Sequence, residues 1–338
     1  MKLSKPEQVA STYAEYVRAH PGFMHEIESG LKWLSFLITN RFQHSNVVAE
    51  LLSTGSNLLA LANDIILRRA HALPVSASPT VTTLRTILQM LEYSEVFFEI
   101  SARSLSGEPT KWMVIALIQL VKAVMRLVLL FAFGQGVNRS QAVPPLNRKA
   151  DLEYADRLRR ERRERRAQPN FTLTSGREVR SLESTPPLSK RRWCEPQRED
   201  PMSRMEQKFS FVPTRLRPSQ LVGELLHIVR PLAHLAAMRA FGIQSWAPWA
   251  VALSLDVSSI QLVRSGPLHH LEAMEMSRRT MLLLLYTLRS PFFDRHTKMR
   301  LLSTLRGLAD SLPLVRLFLN PIIDYVPEWQ KTYFYTWS

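Results

Sequence analysis

The chain has one cysteine, Cys194, in 338 residues, so an internal disulfide and any thiolate zinc cluster are excluded. Such usage fits a protein that faces the cytosol. Glycine is scarce, with 11 residues against 21 prolines, which suits helices punctuated by proline better than a glycine-rich sheet. Enzyme signatures are missing: there is no GxGxxG, Walker A loop, HExxH, GxSxG or CxxC. No catalytic, cofactor-binding or metal site is expected, and no small-molecule substrate. The N-terminal stretch MKLSKPEQVASTYAEYVRAHPGF is polar and amphipathic, without the apolar core or cleavage site of a secretory signal. The last residues, YTWS, carry no receptor-read address. Any membrane targeting therefore falls to the helices.

The most informative feature present is Trp112–Phe133, a run of 22 residues in which only Gln119, Lys122 and Arg126 are not apolar. As a helix it would extend about 33 Å, enough for a hydrocarbon core about 30 Å thick. The three polar residues fall within about 60° of one another, forming one stripe. A central Lys or Arg costs roughly 2.5–3.5 kcal/mol to insert, while each Leu, Ile, Phe or Val returns roughly 0.3–0.6. The helix is thus either a span whose charged stripe meets other protein, or a very apolar helix packed on a membrane-associated bundle.

Residues 5–105 read as helices from apolar recurrences at three- and four-residue steps, as in Leu31, Trp33, Leu34, Leu37 and Ile38. Ser56 or Asn57 is expected to cap a helix running to Arg69. A further helix over about Thr82–Ser104 has Leu84, Ile87, Leu88, Leu91, Phe97 and Phe98 as its apolar side. After the long apolar run, composition changes. Asn147–Arg217 holds 19 basic and 11 acidic residues with few aliphatics, the signature of a solvated, largely disordered linker. Its Arg157–Arg166 run has the composition of a short charged helix. A second apolar half follows: Leu221–Phe241, expected to be broken by Pro231; Trp246–Val263, with Asp256 as its main polar residue; Thr280–Leu288, too short to span; and helices near 295–311 and 315–319.

The formal net charge of +15 points to anionic partners, nucleic acid or acidic lipid head groups. Glu161 and Glu164 interrupt the Arg run and no aromatics are interleaved for base stacking, so no specific nucleic-acid site is expected. His269, His270, Glu272 and Glu275 imitate a metal cluster but read as a solvated face; His227 and His234 read as core or interfacial histidines. Asp256 or Asp64 is a candidate intramembrane counter-charge for Lys122 or Arg126. Arg68 and Arg69, directly after an apolar helix, are a candidate contact for an import receptor. The alternative for them is an ordinary cationic helix C-terminus. Trp329, Tyr333, Tyr335 and Trp337 are either membrane-interface aromatics or a packed terminal helix.

Long blocks in order, rather than one short pattern, resemble the peroxin-16 family of peroxisomal membrane biogenesis proteins. They are YAEYVRAHP (13–21), SNLLALANDIILR (56–68), KWMVIALIQLVKAVMRLVLL (111–130), RPLAHL (230–235), QSWAPWAVALSLDV (244–257), LLLYTLRSPFFDR (283–295) and DYVPEWQKTYFYTW (324–337), with REVRSLESTP (177–186) inside the linker. The resemblance implies a non-enzymatic, multi-pass protein of the peroxisomal membrane, partly routed through the endoplasmic reticulum membrane, with both termini in the cytosol. It further implies recruitment of the docking factor peroxin-3, which receives cargo carried by the import receptor peroxin-19. The expected fold is all-α: a membrane-associated helical bundle with a disordered basic central linker. Its regions are an N-terminal helical region (1–110), an apolar transmembrane helix (111–136), the basic linker (137–217), and a C-terminal helical region (218–338) with a second membrane-associated element at about 221–263. A soluble or peripheral all-α scaffold, and a nucleic-acid binder acting through the linker, are the alternatives from other functional classes.

Overall fold

The computed structural model describes residues 5–38, 45–73, 78–167, 170–172, 178–180, 213–242, 245–311 and 323. The fold is all-α. The helices are α1 (Lys5–Ala19), α2 (Pro21–Ile38), α3 (Ser45–His71), α4 (Pro79–Ser106), α5 (Glu108–Phe131), α6 (Arg148–Ala167), α7 (Pro218–Phe241), α8 (Trp246–Arg264), α9 (His270–Leu282) and α10 (Lys298–Ser311), with a 3-10 turn at Leu283–Leu288 and a π turn at Phe293–Thr297 between the last two. Asn170–Thr172 pairs antiparallel with Glu178–Arg180 in a short ribbon. The tail aromatics Trp329, Tyr333, Tyr335 and Trp337, the expected helix at 315–319 and most of the basic linker lie outside the described residues.

Local chemistry sets the helix ends. Ser78 precedes Pro79 at the start of α4, where the missing proline N–H has no intrahelical partner to lose. Gly107 (φ 85°) both closes α4 and opens α5, a backbone conformation that side-chain-bearing residues rarely adopt, so the chain reverses in one residue. Ser245 Oγ accepts from the Ala247 N–H at the start of α8. Asn147 and Asp151 form a reciprocal box at the start of α6: Asn147 Oδ1 accepts from Ala150 N (3.2 Å) and Asp151 Oδ2 accepts from Asn147 N (3.0 Å).

Three helices differ from the sequence expectation. No cap operates at Ser56 or Asn57: α3 runs through both without interruption, and Ser56 is buried on it. Pro231 does not break α7, which continues through it. A proline removes one hydrogen bond and crowds one carbonyl, and extensive packing of α7 on α8 outweighs that loss. Order also extends into the basic stretch as far as Ala167, because the Asn147–Asp151 box fixes the first turn while Tyr154 and Ala155 are buried against the core.

The chain divides into two compact units. The first comprises residues 1–29, 59–75 and 144–212, and its core is Val17, Met24, Leu67, Leu73, Leu146 and Ala155. The second comprises residues 30–58, 76–143 and 213–338. Here α4 and α5 form an antiparallel hairpin, α7 packs closely along α8, and α5 touches α7. Small apolar clusters join them: Val81, Leu88, Leu129 and Ala142 between α4, α5 and the following segment; Ala123, Leu130 and Ile228 between α5 and α7; Val137, Val263 and Met276 farther along.

The α7–α8 crossing depends on Gly223. A Cβ there would sit 2.9 Å from Leu262 Cβ and from Val263 Cγ2, and 3.0 Å from Ser259 O. Gly223→Ala gains helix propensity of about 1 kcal/mol. The two backbones must then separate, at about 1–3 kcal/mol for overpacking. A net fall in thermal unfolding midpoint is expected in detergent, while Gly55→Ala, where a Cβ meets nothing within 4 Å, leaves the midpoint unchanged or raised.

Candidate functional site

The polar stripe of α5 faces α4. Lys122 Nζ lies 2.9 Å from Glu95 Oε2, Arg126 lies 2.8 Å from Glu92 Oε1, and Lys111 Nζ lies 3.2 Å from Glu99 Oε1. Gln119 Nε2 donates to the other oxygen of Glu95. Gln119, Lys122 and Arg126 are each at most 5% exposed. Three carboxylates spaced three and four apart on α4 thus each meet a cation of α5, two of them one turn apart and the third nearer the turn, forming a ladder of ion pairs inside the hairpin. This corrects the expected counter-charges. Asp256 is taken up by Arg230 and Tyr286, and Asp64 by Arg148. Glu92, Glu95 and Glu99 are hard to place from α4 alone, because its many apolar residues point to a different buried face. In the structure that face includes Gln89, Glu95 and Glu99, while Ile87 and Phe98 point outward.

With its cations turned inward, α5 presents hydrocarbon on the other side. Met113, Leu117, Leu120, Val124 and Phe131 recur along one face and are all more than half exposed. Leaving them in water forfeits roughly 1.5–3 kcal/mol for each large side chain. Among the described residues two helices are long and apolar enough to cross a membrane, α5 and α7, and within their apolar windows only 44% and 33% of residues are buried by the protein. A core helix of a soluble protein would be mostly covered; these are mostly uncovered.

A second polar network lies among α7, α8 and α9. Glu224, wholly buried on α7, binds Arg279 of α9 at 2.9 Å and accepts from the Asn138 N–H at 3.0 Å. Asp256 of α8 accepts from Arg230 at 2.6 and 2.8 Å and from the Tyr286 hydroxyl. Burial, reinforced by the Asp256 charge, raises the Tyr286 phenol well above its usual range, so it keeps its proton and donates it to Asp256. The α4–α5 ladder and this network border a common cavity of about 260 Å³.

In the first unit Arg148 joins Glu28 (2.8 Å) and Asp64 (3.0 Å), and Asn63 bridges Glu28 to the Tyr13 hydroxyl. Arg68 is 4% exposed and donates to Pro144 O at 2.7 Å; burial lowers its pKa against the pull of Asp64 and Asp151. A contact for an import receptor is therefore not open at Arg68, which tucks inward, whereas Arg69 is exposed. Glu272 and Glu275 are not a solvated face either. Glu272 caps α9 through the His269 N–H (3.0 Å) and accepts from Thr214 N (3.2 Å); Glu275 binds Arg278 at 2.8 Å. No group of three or more metal-ligating side chains is gathered among the described residues. His234 is buried and lies 3.0 Å from Pro248 O, a core histidine.

Removing one member of a buried pair strands the other. Glu95→Leu leaves Lys122 uncompensated and is expected to cost about 3–5 kcal/mol, while Glu95→Leu with Lys122→Leu recovers most of it. A double-mutant cycle of unfolding free energies measures this; additive losses would contradict the pairing.

Comparison with known proteins agrees with this geometry. The family model described as Peroxisomal membrane protein (Pex16) matches residues 11–331. Over 96% of its length the chain is 24% identical to peroxisome biogenesis protein 16 of Arabidopsis thaliana, of which 98% is covered. It is 29% identical over 124 residues, 35% of this chain and 31% of the relative, to peroxisome biogenesis factor 16 of Dictyostelium discoideum. No solved structure matches the chain. The match over residues 11–331 places the chain in the Pex16 family of peroxisomal membrane proteins.

Proposed function

We propose that this chain is a non-enzymatic peroxisome-biogenesis factor: a multi-pass membrane protein that recruits the docking factor peroxin-3 and supports targeting and insertion of other peroxisomal membrane proteins, partly by way of the endoplasmic reticulum. Peroxin-19 delivers the cargo, and Arg69 is a candidate contact for it. The observation that carries the membrane part is the division of α5 into a face neutralised by α4 and a face of exposed hydrocarbon. Crossing by α5 and α7 leaves both termini on the cytosolic side and the basic stretch on the other. The positive-inside tendency weakens for loops beyond roughly 60 residues, so this charge does not forbid that topology.

Alkaline carbonate extraction tests the embedding. Wild type is expected to stay with the membrane pellet, and Leu117→Asp, Leu120→Asp and Val124→Asp together, each costing roughly 2.5–3.5 kcal/mol at a helix centre, to move the protein to the supernatant. Release of the wild type would favour a soluble scaffold instead. Co-isolation of peroxin-3 with the wild type, but not with the extracted triple variant, tests recruitment in the same cells.

A further inference from the structure

The cavity in the second unit is built from charges near the middle of both apolar helices. Five cations line it: Lys122 of α5, Arg230 of α7, Arg278 and Arg279 of α9, and Arg289. Three carboxylates line it too, and each is already held: Glu92 by Arg126, Glu95 by Lys122 and Gln119, Asp256 by Arg230 and Tyr286. The carboxylates that orient Arg278 and Arg279, Glu275 and Glu224, stand behind them and are not part of the lining. Arg278 and Arg279 are therefore fixed from the rear, and among the lining residues five cations face three carboxylates. Arg289 is held against the Tyr286 ring, its guanidinium carbon 5.3 Å from the ring centroid. Val96, Leu282 and Leu285 supply an apolar margin.

We propose that this cavity binds the phosphate of an anionic glycerophospholipid. Oriented guanidinium groups match phosphate oxygens in geometry and charge. At about 260 Å³ the space falls short of the roughly 300–1,000 Å³ of pockets for drug-sized ligands and is of the order needed by a phosphate with a short polar substituent. The apolar margin of Val96, Leu282 and Leu285 gives acyl chains a surface beside the charges, which a soluble phosphate ester would not use. The inference goes beyond recruitment of a docking partner, and only its choice of lipid over soluble anion rests on the membrane placement of α5 and α7.

The test uses the full chain in neutral detergent, with bound lipid read by native mass spectrometry and titration. Phosphatidic acid is expected to bind, and Arg278→Gln with Arg289→Gln to weaken it by roughly ten- to a hundredfold, as expected for lost charge-assisted hydrogen bonds. Arg278→Lys with Arg289→Lys should retain most of the affinity. Where the glutamine pair loses helical circular dichroism, Arg278→Ala alone, whose side chain is 40% exposed, carries the comparison. Equal binding by the folded glutamine variants, equal binding of phosphatidylcholine, or capture of an apolar peptide but no lipid would each overturn the proposal. Glycerol 3-phosphate binding as tightly as the lipid would make this a soluble-anion site and overturn the lipid assignment. None of these readings involves peroxin-3, so failure here and failure of recruitment are separable.

Discussion

The second unit rests on one electrostatic constraint: the cations of α5 are buried, and only carboxylates brought by α4 make that burial tolerable. An unpaired ammonium or guanidinium withdrawn from water costs several kcal/mol, more than any single apolar contact in the hairpin returns. The pairs of Glu92, Glu95 and Glu99 with Arg126, Lys122 and Lys111 offset that penalty at three points along the hairpin. Glu95 and Glu92, three residues apart on α4, meet Lys122 and Arg126, four apart and running the opposite way on α5, so these pairs support the antiparallel alignment of the two helices.

That constraint explains why α4 is inside out by ordinary standards. Its buried face carries Gln89, Glu95 and Glu99, and several of its large apolar residues, Ile87, Met90, Phe98 and Leu105, are exposed. Such an arrangement makes little sense for a hairpin surrounded by water, where the polar groups would face solvent at no cost. It is consistent where the surroundings are hydrocarbon and polar groups find partners only within the protein. The same logic extends to Glu224 with Arg279 and Asp256 with Arg230, pairs that join α7 to α9 and to α8.

The α5 stripe was legible in the sequence because three polar residues interrupting an apolar run at helical spacing admit one geometry. Its partners were harder to read. Glu92, Glu95 and Glu99 share their helix with many apolar residues, and single-helix periodicity assigns the apolar side to the core. The usable signal was two-helix complementarity: three carboxylates and three cations on the inner faces of two helices joined by a single glycine. Asp64 was a sound candidate as a buried acid, but its partner Arg148 sits in a stretch whose composition reads as solvated. There the Asn147–Asp151 box is a local helix-start signal that the charge density downstream masks. Arg68 shows the converse. A cation at a helix end suggests exposure, and nothing local announces that Pro144, far along the chain, supplies the carbonyl that draws it in.

A last consequence concerns what inserts. Counting apolar runs marks α5 and α7 as the elements able to cross a membrane and leaves α4 out. Yet α5 carries Lys111, Lys122 and Arg126, whose neutralisation depends on α4, so α5 is compatible with hydrocarbon only with α4 packed along its charged face. Chain order favours this: α4 precedes α5 and is joined to it by one glycine, so the carboxylates are in place when the apolar helix emerges. A hairpin closed before insertion presents the hydrocarbon of α5 outward and hides the ladder, which converts two costly cations into a membrane-compatible surface.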